Sequence, residues 1–412
     1  MKSITELYRI GRGPSSSHTM GPMRAAEMFK QAMPIADKYK VVLYGSLALT
    51  GKGHQTDKAI LEVLGDRCEV EFNPNEKHLK HPNTMRLYAY KDGNEVLSWE
   101  VLSVGGGAIQ IVGQPLAESE DVYRLNTFDE IKAYCYENDI TLAEYVYMVE
   151  PYIKPFLKKV WQSMRESILR GVKATGVLEG GLDVARKAKR FFLEQKPDEL
   201  PETKESRIIC AYAFAVAEEN AGGGIIVTAP TCGSCGVVPS VLKYMQERHK
   251  LSDDEITDAL AVAGLIGNII KTNASISGAE CGCQAEIGSA CSMAAAGVAQ
   301  LLKMSIEQIE YAAEAGMEHH LGLTCDPVCG LVQIPCIERN AVAAMMAMTA
   351  VNFATFLTVT RKVSFDTIVK TMYETGKDLP SRYRETAKGG LAKNFKPKRK
   401  MSGVKNSGRA KG

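Results

Sequence analysis

The feature that most restricts this chain is a change of periodicity near residue 126. From there, apolar residues recur every three to four positions almost to Glu374, which predicts helix after helix. The expected helices are Thr127–Glu137, Leu142–Val149, Tyr152–Gly171, Leu182–Leu193, Glu205–Glu219, Pro239–Arg248 and Asp253–Lys271, then several Ala-rich ones. The first third reads differently. Pro22–Met33 is a short amphipathic helix with Pro in its first turn, Val41–Leu49 is a β-rich apolar run, and Thr56–Leu64 is helical. The stretches "RCEVEF", "TMRLYAY" and "VLSWEVLSV" read as strands. A chain of 412 residues also exceeds one ordinary core. The expected fold class is therefore multi-domain: a small N-terminal α/β domain over 1–125, then a larger, mostly all-α domain over 126–390. Residues 391–412 form a basic tail.

Composition sharpens this. Aromatics are only 7% while Ala, Gly and Met run high, which suits closely packed helices. Eight Lys/Arg and no acid fall in the last 24 residues, so the body is mildly acidic; the expectation is no nucleic-acid partner. The opening "MKSITELYRIG" lacks the apolar centre of a signal peptide, and the longest apolar run, Ala341–Val359, is interrupted by Thr349, Asn352, Thr355 and Thr358. A buried core helix, no membrane partner and a cytoplasmic location are expected. Eleven cysteines without an export signal fit a reducing compartment.

Three Gly-rich loops interrupt the helices: "NAGGGIIVTAPTCGSCG", "NASISGAECGCQAEIG" and "HHLGLTCDPVCGLVQIPCIERN". Loops of this composition in a helical domain point to function. They and their flanks hold eight cysteines: Cys232, Cys235, Cys281, Cys283, Cys291, Cys325, Cys329 and Cys336. The Cys232–Cys235 pair is compatible with packing, with half a metal site or with redox chemistry. Cys283, Cys325 and Cys336 sit beside polar or turn residues, and three thiolates suffice to hold an iron–sulfur cluster; inert buried cysteine is the alternative. A second constellation is "GPSSSHTMGPMRAA". Its hydroxyls precede a helix, whose N–H groups and dipole favour a carboxylate, so Ser15, Ser16, Ser17 and Thr19 read as a carboxylate cradle. Simple helix capping is the alternative. Thr231–Gly236 and the Asn273–Ser277 stretch, with Asn273 and Ser275, are candidates for the opposite wall.

Together, "GPSSSHTMGPMRAA", "GSLALTGKGHQTD", "KTNASISGAECGCQAEIGSACSMAAAG" and "LTCDPVCGLVQIPCIERNA" resemble the iron–sulfur L-serine dehydratases, from about Tyr8 to Leu391. The resemblance implies fused β-type and α-type domains and a [4Fe–4S] cluster on Cys283, Cys325 and Cys336. It also implies release of pyruvate and ammonia from L-serine in amino-acid catabolism and gluconeogenesis, and a homodimer. Such a reaction needs a base for the Cα proton, and histidine suits it near neutral pH. His54 in "GKGHQTD" is the first choice, with Asp57 placed to orient it; His18 and His81 rank second, and His319–His320 is read as structural or as lying just outside the residues that touch substrate. The chain ends "NSGRAKG" without the C-terminal cysteine of some relatives, and its length leaves no room for an ACT-type domain. Neither regulatory device is expected. The competing readings are a pyridoxal-phosphate dehydratase, the same cluster chemistry on L-cysteine, L-threonine or a hydroxy acid, and an iron–sulfur sensor that contacts DNA through its tail.

Overall fold

Alternation along the early strands produces one sheet. In this computed structural model, which describes residues 1–114 and 121–395, five strands lie in the order Cys68–Asn73, Lys38–Tyr44, Thr84–Lys91, Asn94–Gly105, Ala108–Ile111. The first pair is parallel and the rest antiparallel. Val41 pairs with Leu87 and Leu43 with Met85, so one face is continuous and apolar. Phe29, from helix Gly21–Ala32, and Ile60 and Leu64, from helix Thr56–Leu64, close over it. The basic tail beyond residue 395, and part of the expected boundary, residues 115–120, lie outside the described residues.

The apolar run Val41–Leu49 is not one strand. It leaves the sheet after Tyr44, where the Ser46 N–H donates to the Pro82 carbonyl, and winds into helix Gly45–Thr50. That turn carries Ser46 and Thr50 towards the two histidines described below.

From residue 128 on, the structure is mostly helical, as the 3.6-residue period predicts. Thr127, Thr141 and Ser252 each form a reciprocal capping box with a Glu three residues on, which fixes where three of these helices begin. The helix expected over Leu182–Leu193 is confined to Ala188–Leu193. Upstream, the backbone of Leu178 and Arg186 is spent on a local turn, donating to the carbonyls of Val184 and Gly176. At the centre stands Ile287–Leu301, in which every residue but Gln300 is buried. Its Ala, Gly and Ser side chains let neighbouring helices approach closely. Helix Ile153–Gly171 meets helix Pro201–Ala221 so tightly that a Cβ on Gly171 would lie 2.2 Å from the Ala215 carbonyl oxygen. Gly171→Ala is therefore expected to cost about 1–3 kcal/mol, read as a lower urea midpoint.

The apolar run near Ala341 departs from expectation in one respect. It lies in helix Cys336–Leu357, whose inner face of Ala343, Ala344, Ala347, Ala350 and Ala354 is buried against the core. Its outer face, with Val342 and Phe356, is exposed, so it is not a fully buried core helix. By length and composition alone, Cys336–Thr360 is also long and apolar enough to cross a membrane.

The two units are laced together. Met1, Ile4, Leu7 and Tyr8 are buried in the helical core, and the Tyr8 hydroxyl donates to the Leu260 carbonyl. The next residues, Ile10–Arg12, pair antiparallel with Ile225–Val227 in the first Gly-rich loop. The serine-rich segment thus leaves a strand already registered on the helical unit.

Candidate active site

The serine segment forms a tight π-turn, Ser16–Met20, that runs into helix Gly21–Ala32. Ser15 caps it: its Oγ accepts from the His18 N–H at 3.1 Å. Being in the first turn, the N–H groups of Ser16 and Ser17 have no acceptor within the helix. Ser15 and Ser16 line a narrow buried cavity, and Ser17, His18 and Thr19 stand behind it. The Ser17 hydroxyl lies 2.9 Å from His18 Nδ1, and Ser46 Oγ lies 2.9 Å from His18 Nε2. Both nitrogens of His18 are therefore occupied, and burial holds its pKa well below the usual imidazole range. His18 thus bridges the serine loop and helix Gly45–Thr50.

His54 differs. Its Nδ1 lies 3.0 Å from the Thr50 carbonyl, which can only accept, so Nδ1 carries the proton. Its Nε2 then presents a lone pair, yet it is buried with no hydrogen-bond partner among the described residues. The ring lines the cavity and stacks on His18 at 4.4 Å. Thr19 donates its hydroxyl to the His54 carbonyl at 2.7 Å and fixes the backbone. Burial pushes the pKa down to about 4, so the ring is neutral at neutral pH. Asp57, the orienting group expected from sequence, is paired with Lys52 instead; the carbonyl one helical turn back takes its place.

The other wall comes from the helical unit. Cys283, Cys325 and Cys336 all line the cavity, with Gly233 from the first loop and Glu286 beside them. Cys283 follows Gly282, whose φ of +75° and close approach to Leu379 and the Leu323 carbonyl exclude a side chain. Cys325 is clamped on both sides: its N–H donates to the Tyr383 carbonyl and its carbonyl accepts from Glu385 N–H, each at 2.8 Å. Cys336 opens the long helix Cys336–Leu357. A hydrogen bond with Cys325 and the charge of Arg339 pull the Cys283 thiol below its ordinary range. Hydrogen bonding to Cys283 and burial push Cys325 up, and burial pushes Cys336 up. Arg339 is itself held by the Thr324 carbonyl at 2.6 Å and Asp326 at 3.3 Å. Glu286 accepts from the Thr231 hydroxyl at 2.7 Å.

The remaining candidates do not line this cavity. His81 Nδ1 accepts from the Asn83 N–H in its own turn. Asn273 Nδ2 donates to the carbonyls of Asn126 and Ile269 at a helix end. Ser275 donates to Glu280. His319 and His320 bond the carbonyls of Ala315 and Gly316 on their own helix. Cys232 and Cys235 are buried and unpaired, with Cys232 against the Met20 sulfur. Cys281 packs where Gly376 leaves room, and Cys329 is exposed. Glu286 and Arg339 lay inside quoted motifs without being singled out. Glu385, also on the cavity wall, lies in "DLPSRYRETAKGG", outside every motif singled out.

A buried cavity lined from both units gathers three thiols, two carboxyl groups and a neutral imidazole whose Nε2 has no partner among the described residues, the side chains of an enzyme site. The sequence profile of the serine dehydratase beta chain matches residues 3–69, and that of the serine dehydratase alpha chain matches residues 71–392. The alpha-chain match begins inside strand Cys68–Asn73, so the sheet spans both. The chain is 42% identical over 451 aligned residues to L-serine dehydratase 1 of Escherichia coli (strain K12), covering 95% of this chain and 99% of that protein. It is 42% identical over 450 residues to L-serine dehydratase of Streptomyces coelicolor, covering 95% and 99%. To L-serine dehydratase of Helicobacter pylori (strain J99) the identity is 39% over 452 residues, covering 96% and 99%. The chain belongs to the serine dehydratase family, with the alpha- and beta-chain regions fused.

Proposed function

We propose that this chain is an L-serine dehydratase, a lyase that releases pyruvate and ammonia from L-serine, with a [4Fe–4S] cluster on Cys283, Cys325 and Cys336. The observation that carries the reading is His54 Nε2: a buried lone pair, without a partner among the described residues, in the same cavity as three free thiols. The donor set fits the group. Three cysteines from two loops converge beside a guanidinium that favours thiolates, and no fourth cysteine lines the cavity among the described residues. When bound, such a cluster has one iron without a cysteine and supplies a Lewis acid for the substrate hydroxyl.

This chain's own residues supply the rest. The hydroxyls of Ser15 and Ser16 and the first-turn N–H groups suit the carboxylate. His54 Nε2 takes the Cα proton, while Thr50 and Thr19 hold the ring and its backbone. Loss of that proton and the β-hydroxyl leaves aminoacrylate, which tautomerises to the imine and hydrolyses. Among the described residues no lysine lines the cavity, so a pyridoxal-phosphate Schiff base lacks its partner there. All eleven cysteines are unpaired, which suits a cytoplasmic enzyme. A homodimer that covers the exposed apolar side chains Val342 and Phe356 suits the outer face of the long helix.

The test compares L-serine, L-threonine and L-cysteine as substrates of anaerobically reconstituted protein. L-serine should give the highest kcat/KM for 2-oxo acid release, with a broad brown absorbance that fades in air. A chelator-resistant band near the pyridoxal-phosphate region, or a preference for L-cysteine, would displace the reading. Cys281→Ala and Cys329→Ala should keep iron content and turnover within about twofold of wild type, since neither thiol lines the cavity.

A further inference from the structure

We infer that Glu385 receives the α-ammonium group of the substrate, brought into the cavity by the C-terminal segment 381–394. The inference rests on the L-serine reading above. Glu385 is only 9% exposed and lines the cavity. Its carboxylate oxygens accept no hydrogen bond among the described residues. The nearest cation-capable atom, His18 Nδ1, stands 3.7 Å away and is already engaged by Ser17. A carboxyl group that lines a cavity with its acceptor sites free among the described residues suits a multivalent donor, and an ammonium offers three N–H groups.

Position matches that role. Atoms of Glu385, His54 and His18 lie within 4.8 Å of one another. In an amino acid, Cα bears both the ammonium and the proton to be removed, so the base and the ammonium acceptor must sit that close. A metal ion held by the same three groups is a poorer fit. Both nitrogens of His18 are occupied by serine hydroxyls, and His54 Nδ1 is committed to Thr50. The other cavity carboxylate, Glu286, already accepts from Thr231.

The segment is fastened at several points. Glu385 N–H donates to the Cys325 carbonyl, Arg384 Nη1 donates to the Glu280 carbonyl at 3.2 Å, and Leu391 N–H donates to Asp326 at 2.7 Å. Glu385 has a φ of +56°, a conformation rare for such a residue, and these clamps hold it.

The experiment uses iron-loaded full-length protein, with iron per chain measured for each variant. Glu385→Gln keeps the shape and removes the ionisable carboxyl, whose charged form burial and the neighbouring Glu286 and Cys283 disfavour in the free protein. It should raise KM for L-serine about 10- to 100-fold, the value of a lost charge-assisted hydrogen bond, with a smaller change in kcat. Inhibition by L-glycerate, which carries hydroxyl in place of ammonium, should stay within about threefold of wild type. The ratio of the glycerate inhibition constant to the serine KM therefore collapses. Glu385→Asp, which keeps the carboxyl, should keep its iron and fall between the two. An iron-replete Glu385→Gln protein with an unchanged ratio overturns the assignment. So does loss of iron from both variants, which would make Glu385 a support of the thiol pocket. Absence of pyruvate from wild type with L-serine would sink the underlying reading instead.

Discussion

His54→Ala should retain its iron and lose turnover of L-serine by about 10²–10⁴-fold, the range for removing a general base. The reason is specific to one nitrogen. His54 Nδ1 is tied to a carbonyl, leaving Nε2 as a lone pair with no partner among the described residues. Because burial pushes the pKa to about 4, the base form is present above that value. The acid limb of kcat/KM should thus fall near pH 4, well below an ordinary histidine limb. Stability follows the same sign. Between about pH 4 and 6.5 the unfolded chain binds the proton and the folded one does not, so stability present above 6.5 is lost as pH drops, by roughly 3 kcal/mol for this group. Retained turnover in His54→Ala, with iron in place, would remove it as the base.

Cys283→Ala, Cys325→Ala and Cys336→Ala should each lose iron and activity together. The three thiols share one cavity with no spare cysteine among the described residues, so no neighbour can substitute. The paired measurement is iron per chain and pyruvate release on the same preparation. Full iron and turnover in any one of the three would contradict its assignment as a ligand. Unfolding is a separate outcome, seen in the circular dichroism of the helices.

Much of this was legible in the chain. Helices with a side-chain cap and a strong 3.6-residue period, such as Asp253–Asn273 behind Ser252 and Glu255, stood out because their signals are local. The region before Ala188 did not, because a turn between Gly176 and Arg186 outcompetes a weak helical pattern. At the site, Ser15, Ser16, His54 and the three cysteines lie in motifs dense with Gly, Ser and Cys, and the structure brings them to one cavity. Asp57 looked placed to orient His54, yet in a helical turn the carbonyl four residues back is nearer than a side chain three residues ahead. Glu385 left no trace in periodicity or composition. It reaches the cavity through long-range clamps such as the bridge between Cys325 and Arg384, a pairing of residues 59 apart in sequence. Contacts of that range are set by the whole fold and leave no local pattern.

The central claim is that one cavity joins a thiol-bound cluster to a serine-cleaving site. It is tested most directly by titrating iron and sulfide into the apo protein under anaerobic conditions while measuring pyruvate release from L-serine. The account predicts activity that rises in proportion to iron and saturates at about four iron per chain. Pyruvate release from iron-free protein, or a fully loaded protein inert towards L-serine, would contradict it.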